Sequence, residues 1–150
     1  IGRSNLLEGE LTMKDGLPHL KFANYEAAIP NVKEEFKTPQ KIVISIRPEE
    51  LVVSRRSQEG FKAVIEDSVF LGLNTHYFIR LENGTQVESV TESTIESIIE
   101  PGTEVSLTVK TEKVNLFTAD GTVNILEGVQ NDVISSTKAG GRAQKRLAVG

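Results

Sequence analysis

The sequence contains no cysteine and no tryptophan, a single methionine, and two histidines, His19 and His76. Without cysteine there is neither a disulfide framework nor a thiol nucleophile, which fits a reducing compartment. Two histidines far apart in the chain fall short of the three or four convergent ligands a metal site needs. No serine stands at an identifiable spacing from either to complete a catalytic triad. No apolar run approaches the ~20 residues of a membrane-spanning helix. A phosphate loop of the form Gly-x-x-x-x-Gly-Lys-Ser/Thr is missing, so no ATP hydrolysis is expected of this chain. There is no initiator methionine and no signal-peptide pattern at Ile1-Gly2, so the chain reads as a piece of a longer protein.

Basic character is scarce too. The net charge is −4 over 150 residues, and the tail from Lys138 onward holds Lys138, Arg142, Lys145 and Arg146 with no acid, a charge of +4 that leaves −8 for the rest. An acidic body with six Phe, two Tyr and no Trp lacks the basic groove and aromatic platforms of a nucleic-acid binder. The Ser/Gly-containing stretch from Ser135 to Arg142 has linker composition, and residues 127–150 are expected to form a flexible basic tail.

What the chain does contain is a strongly patterned stretch, Ile42 to Val53. Ile42, Ile44 and Ile46 alternate with less apolar residues, the period of a strand with one buried face. Arg47-Pro48-Glu49 interrupts the run, because Pro48 has no N–H to give to a ladder. Leu51-Val52-Val53 then resumes it. The figure returns without a gap at Leu107 to Leu116. Ile44 falls on Leu107, Ile46 on Val109, Leu51 on Val114 and Val53 on Leu116; Arg47 falls on Lys110 and Glu49 on Glu112. Two strand-bend-strand corners are expected from this internal repeat.

The remaining segments are short and alternating. Leu7 to Met13 and Leu17 to Ala23 form a hairpin around Asp15-Gly16, and Ala27 to Pro30 extends it. One helical turn is expected between Asn31 and Thr38. Phe61 to Phe70 and Thr75 to Leu81 read as strands around Leu71-Gly72-Leu73-Asn74, and Asn83-Gly84 turns the chain into Gln86 to Val90. Ser93-x-x-Glu96 has capping-box spacing for a short helix ended by Pro101-Gly102. Glu104 to Val109 is a strand, Asp120-Gly121 a turn, and Thr122 to Leu126 a last strand. Many short strands and no long amphipathic helix predict an all-β barrel. Adjacent carboxylates at Glu66-Asp67 are expected on opposite faces of their strand, as a solvated rim. The hydroxyls of Ser89, Thr91, Ser93, Thr94 and Ser97 are read as a polar strand-to-helix junction.

Five of these segments, in order, resemble the transport-associated OB (TOBE) domain of the ATP-hydrolysing subunits of bacterial ABC importers for polyamines, maltodextrins, sulfate and ferric iron. They are Ile1 to Gly9, Ile46-Arg47-Pro48-Glu49, Val64 to Gly72, Pro101 to Val105 and Val114 to Gly121, and the likeness runs to about Leu126. The resemblance implies an OB-fold-like (TOBE/MOP-like) barrel of two pseudo-repeated halves, about 6–54 and 60–126, behind a lead-in at 1–5 from an upstream ATPase domain. It implies a regulatory and dimerisation role, possible polyamine specificity, and a location in the cytoplasm, peripheral to the membrane. The partners it implies are a second copy of the subunit, the upstream ATPase domain and the membrane permease subunits. No cofactor, metal or catalytic residue is expected in this region, ATP and Mg belonging to the ATPase domain. Arg47, Pro48, Glu49, Gly72, Asp120 and Gly121 are the candidate structural or interface residues. Two alternatives come with the barrel. One is a small-oxyanion module of the molybdate-binding kind, for which Gly2-Arg3-Ser4-Asn5 departs from the Ser-Ala-Arg-Asn pattern; the other is an OB-type nucleic-acid binder.

Overall fold

The structure, a computed structural model, describes residues 4–23, 25–55, 60–93 and 98–128, and among these described residues there are ten strands and three 3-10 turns. The strands are β1 (Asn5–Lys14), β2 (Leu17–Phe22), β3 (Tyr25–Ala28), β4 (Gln40–Ile46), β5 (Leu51–Ser54), β6 (Phe61–Leu71), β7 (Asn74–Leu81), β8 (Gln86–Glu92), β9 (Glu104–Val109) and β10 (Asn115–Thr118). The 3-10 turns are Glu34–Phe36, Pro48–Glu50 and Thr111–Lys113. The all-β expectation holds, but as two open five-stranded antiparallel sheets, β10-β4-β1-β2-β3 and β5-β9-β6-β7-β8, and not as a closed barrel. Each sheet keeps two edge strands, so no ladder of backbone hydrogen bonds runs full circle.

The repeated corners explain why there are two sheets. β4, the turn Pro48–Glu50 and β5 form one corner; β9, the turn Thr111–Lys113 and β10 form the other. Both turns are closed by the same bond at equivalent positions. The Glu50 N–H donates to the Arg47 carbonyl at 2.9 Å, and the Lys113 N–H to the Lys110 carbonyl at 2.8 Å. Each corner then sends one strand into each sheet, so that β4 lies beside β10 and β5 beside β9. The second pair is in register from Leu51 opposite Val109 to Ser54 opposite Ser106.

Backbone packing divides the chain into two interleaved units, each with its own core. The first takes its described residues from 4–6, 22–26 and 45–114. Its core includes Leu51, Ile65, Tyr77, Ile79 and Leu107, all at most 2% exposed. Phe61 meets Phe22 and Tyr25 edge-on, with ring centroids 5.5 and 5.4 Å apart, arrangements that favour the ring quadrupoles. The second unit takes its described residues from 7–21, 27–44 and 115–128, and buries Leu11, Leu20, Ile42, Ile44, Leu116 and Ile125. In it Gly9 is required by packing. A Cβ there would stand 2.7 Å from both Ile44 Cδ1 and the Lys21 carbonyl oxygen. Beyond β10, the expected last strand is reduced to isolated bridges, Phe117 to Asn124 and Val32 to Leu126.

Two details of the first unit depart from simple alternation. In β6 the register slips: Ile65 faces Ile79, but Asp67 faces Phe78. Glu66 is the extra residue of a β-bulge. Ile65, Tyr77 and Ile79 are buried, so Phe78 points outward and Asp67 with it. The bulge therefore puts Glu66 and Asp67 on one face, contrary to the expectation for adjacent strand residues. The second detail is that the sheet's edge strands β5 and β8 are linked by side chains. Ser89, fully buried on β8, donates its hydroxyl to the Leu51 carbonyl of β5 at 2.7 Å. Asn5 makes the equivalent of a strand's peptide contact with β8. Its amide nitrogen donates to the Glu88 carbonyl at 2.8 Å and its amide oxygen accepts from the Glu88 N–H at 2.8 Å. An edge that would template another strand is thereby partly covered. Of the helix expected from Ser93 to Pro101-Gly102, residues 94–97 lie outside the described residues and 98–100 are not helical; the basic tail lies largely on 129–150, also outside the described residues.

Two substitutions test these contacts. Ser89→Ala is expected to lower stability by about 1–2 kcal/mol, as the loss of one buried hydrogen bond does, measured by urea denaturation. Gly60 has φ +88°, and a Cβ there would lie 2.1 Å from the Leu107 carbonyl oxygen, whereas one on Gly72 (φ +75°) would meet nothing within 4 Å. Left-handed backbone alone costs an L-residue ~1–2 kcal/mol. Gly72→Ala is therefore expected to cost about that much and Gly60→Ala clearly more; equal losses would show that the Leu107 contact is not what demands glycine.

Candidate functional site

The six candidate residues occupy three separate turns. Arg47, Pro48 and Glu49 stand together at the first corner, Arg47 and Glu49 exposed and Pro48 buried. Arg47 is extended (φ −69°, ψ 145°) and Pro48 takes the first position of the 3-10 turn, where its missing N–H would have had no partner in the turn. The next acid, Glu50, reaches Lys110 of the second corner at 3.5 Å. The lysine is half exposed, so this ion pair contributes less than about 1 kcal/mol. Gly72 lies at the β6–β7 hairpin turn, with a positive φ that only glycine adopts without strain.

Asp120 and Gly121 form a turn in the other unit. The Asp120 carboxylate accepts the Thr118 hydroxyl at 2.6 Å, the Thr122 hydroxyl at 2.8 Å and the Thr122 N–H at 3.1 Å. Gly121, at φ +77°, donates its N–H to the Thr118 carbonyl at 2.7 Å. The Thr118 hydroxyl, then the two bonds from Thr122, hold the Asp120 carboxyl below its ordinary range. Glu66 is lowered as well, by its bonds to Gln86 first and to Arg80 second. Its carboxylate accepts from the Arg80 guanidinium at 2.5 Å and from the Gln86 amide. Asp120 thus closes its own turn through Thr118 and Thr122, and Glu66 ties β6 to the side chains of Arg80 on β7 and Gln86 on β8.

His19 and His76 lie half-buried on β2 and β7. Among the described residues no group of three or more His, Cys, Asp or Glu could hold a metal ion. No helix among them is long and apolar enough to cross a membrane. Of the hydroxyl cluster, Ser89 has the structural role described above and Thr75 shares a 2.8 Å bond with Ser93, while Thr94 and Ser97 lie outside the described residues. Sequence reasoning takes Ser89 only as one of a hydroxyl cluster and Asn5 only as part of an anion-binding comparison, and gives no polar role to Tyr77, whose hydroxyl accepts the Ile99 N–H at 3.0 Å. The available signal was Ser89 itself, a polar residue in phase with buried Val87 on an alternating strand. What the arrangement offers is two hydrogen-bonded corners and a side-chain-capped turn.

The lowered acidity of Asp120 has a definite sign. A carboxyl with a folded pKa below its unfolded one adds stability above the unfolded value and loses it as pH falls through the folded value. Asp120→Ala is therefore expected to lower Tm most near neutral pH, the deficit shrinking on acidification through the carboxylate range. A deficit constant with pH would show that the ionised carboxylate is not the source.

Residues 44–117 match the family model of the TOBE domain, a stretch that begins and ends within the two repeated corners. The chain is 50% identical over 136 residues, 89% of its length, to the Fe(3+) ions import ATP-binding protein FbpC of Fusobacterium nucleatum, covering 35% of that protein. It is 30% identical over 87 residues, 57% of its length, to the spermidine/putrescine import ATP-binding protein PotA 1 of Pseudomonas aeruginosa, covering 24% of it. The protein PotA of Thermotoga maritima, with the same description, is 28% identical over 97 residues. The chain thus spans about a third or less of the length of these curated relatives. Among solved structures, the cytoplasmic molybdate-binding protein ModG superposes with a TM-score of 0.63 at 14% identity, over 79% of this chain and 98% of that one, a likeness of fold. The family that residues 44–117 match is thus the TOBE domain.

Proposed function

We propose that this chain is the regulatory part of the ATP-binding subunit of an ABC importer, acting through association and not through chemistry. The observation that carries this reading is the 50% identity to an iron-import ATP-binding protein over 89% of the chain, joined to a TOBE match that spans both corners. In this reading the parent protein binds and hydrolyses ATP with Mg in a part outside this chain. Two copies of the subunit associate beside the membrane permease on its cytoplasmic side. The rigid corners keep the TOBE region in shape while the ATP-binding parts open and close. Ferric iron is favoured as the cargo of the parent importer over the spermidine or putrescine suggested by residue resemblance, since the polyamine relatives stand at 30% and 28% identity over shorter stretches.

Two measurements test this. In sedimentation of the full-length parent, the dimer is expected to dissociate at least tenfold more readily when this region is removed. Unchanged masses at every concentration, with and without ATP, would defeat the association role. In cells lacking the parent, ferric iron uptake is expected to fall while spermidine uptake holds; the reverse pattern would return the cargo to the polyamine class.

A further inference from the structure

The outward face of β6, β7 and β8 is built unlike the rest of the first unit. The paired registers place Asp67, Phe78 and Glu88 in one row, Val69, His76 and Val90 in the next, and Leu71, Asn74 and Glu92 in the third. Their neighbours Tyr77, Thr75 and Ser89 are buried, so these three rows face away from the core. The centre of the face is His76, flanked by Val69, Val90 and Phe78, and three of its corners are carboxylates. Beside it the β6–β7 turn projects, with Leu73 at 83%, Phe70 at 62%, Leu71 at 57% and Val69 at 37% exposure. Val69 and Leu71 lie on the outward face with Leu73 in the turn beside it, a cluster of exposed apolar side chains, while Phe70, opposite Thr75, leaves its strand on the other face.

The charge around this patch is of one sign. In the three rows of the face the charged residues are Asp67, Glu88 and Glu92, with no lysine or arginine among them. Arg80, further along β7, is engaged by Glu66. Apolar side chains around one histidine with a charged rim fit the layout of a protein–protein interface, and the sign of the rim selects the partner. Nucleic acid and anionic lipid are repelled by it. A second copy docking face to face would set the carboxylates Asp67, Glu88 and Glu92 against their own equivalents, which like-charge repulsion opposes.

We propose that the outward face of β6–β7–β8, with the Phe70–Leu73 turn, is the docking surface for a cationic segment of another protein, one that carries apolar side chains between its lysines or arginines. Leu71 and Leu73 are the anchors, and Asp67, Glu88 and Glu92 pair with the flanking cations. This surface does not depend on the importer reading.

Placing the photo-crosslinker benzoylphenylalanine at Leu73 of the full-length protein, in living cells, tests the proposal. The crosslinked peptide is then mapped by mass spectrometry, with the same crosslinker at exposed Glu82 as control. The expected product joins position 73 to a segment of a different protein whose Lys and Arg outnumber its Asp and Glu. Its yield should fall at least fivefold in Asp67→Lys/Glu92→Lys and in Leu71→Ser, all exposed positions, each variant checked for an unchanged melt. A product with a second copy of this chain, with lipid or with nucleic acid overturns the proposal. So does an acidic partner segment, a yield that neither variant moves, or no product above the control. Sedimentation of the Leu71→Ser variant separates this from the association role: its dimer should be as stable as the parent's.

Discussion

Two places where the chain must leave one sheet for the other govern the whole architecture. At each, a strand that has been burying every second residue runs out of ladder, turns through a single 3-10 bond and resumes in the other sheet. The apolar residues on both sides of the corner must still reach a core. Ile44 and Ile46 before the first turn are buried, as is Leu51 after it; Leu107 before the second turn and Val114 and Leu116 after it are buried in the same way. Pro48 enforces the break in the first corner, but the second has Thr111 at the equivalent position and makes the same bond between Lys113 and Lys110. The proline is one means of stopping a ladder. The spacing of apolar residues around the stop is what both corners share, and it dictates where the chain re-enters.

Because each corner feeds both sheets, the sheets cannot be built one after the other. β5 finds β9 only when the chain from Gly60 to Glu104 has folded back, and β4 finds β10 across a longer interval. Pairings so distant in sequence carry a loop-closure cost before they return any burial. The bonds that link sheet edges are likewise long-range. The Ser89 hydroxyl reaches Leu51, and Asn5 reaches Glu88. They do with single side chains what a closed barrel does with a full ladder, which is why the strand pattern suggested closure while the backbone stays open.

These distances also mark what could be read from the residues alone. Strands β1, β2, β6, β7 and β9, the hairpin turns at Asp15-Gly16 and Asn83-Gly84, and both corners follow from local alternation and local turn chemistry, and the repeat at Ile44 and Leu107 pointed to the right architecture. The bulge did not follow, since nothing in Val64-Ile65-Glu66-Asp67 announces that Glu66 will be left without an opposite. It arises where the chain docks across Ile65, whose N–H donates to the Thr103 carbonyl and whose carbonyl accepts the Gly102 N–H. That contact spans a long stretch of chain and has no period. The Arg47-Pro48-Glu49 group was legible as a bend; which molecule meets its exposed arginine and glutamate is a property of a partner and is not encoded in spacing.

The same bulge links fold to surface. With strict alternation Asp67 would turn inward, toward the buried Tyr77 and Ile79, where an unpaired carboxylate is costly. The extra residue sends it outward instead, into the row with Phe78 and Glu88, and leaves Glu66 to engage Arg80. One irregularity thus adds an acid to the exposed face and occupies the only cation on β6, β7 or β8 beyond Lys62. A face so depleted of positive charge is poorly suited to meeting a copy of itself, and its negative field falls on whatever approaches the Phe70–Leu73 turn. The backbone irregularity thus helps to decide which charge this face presents.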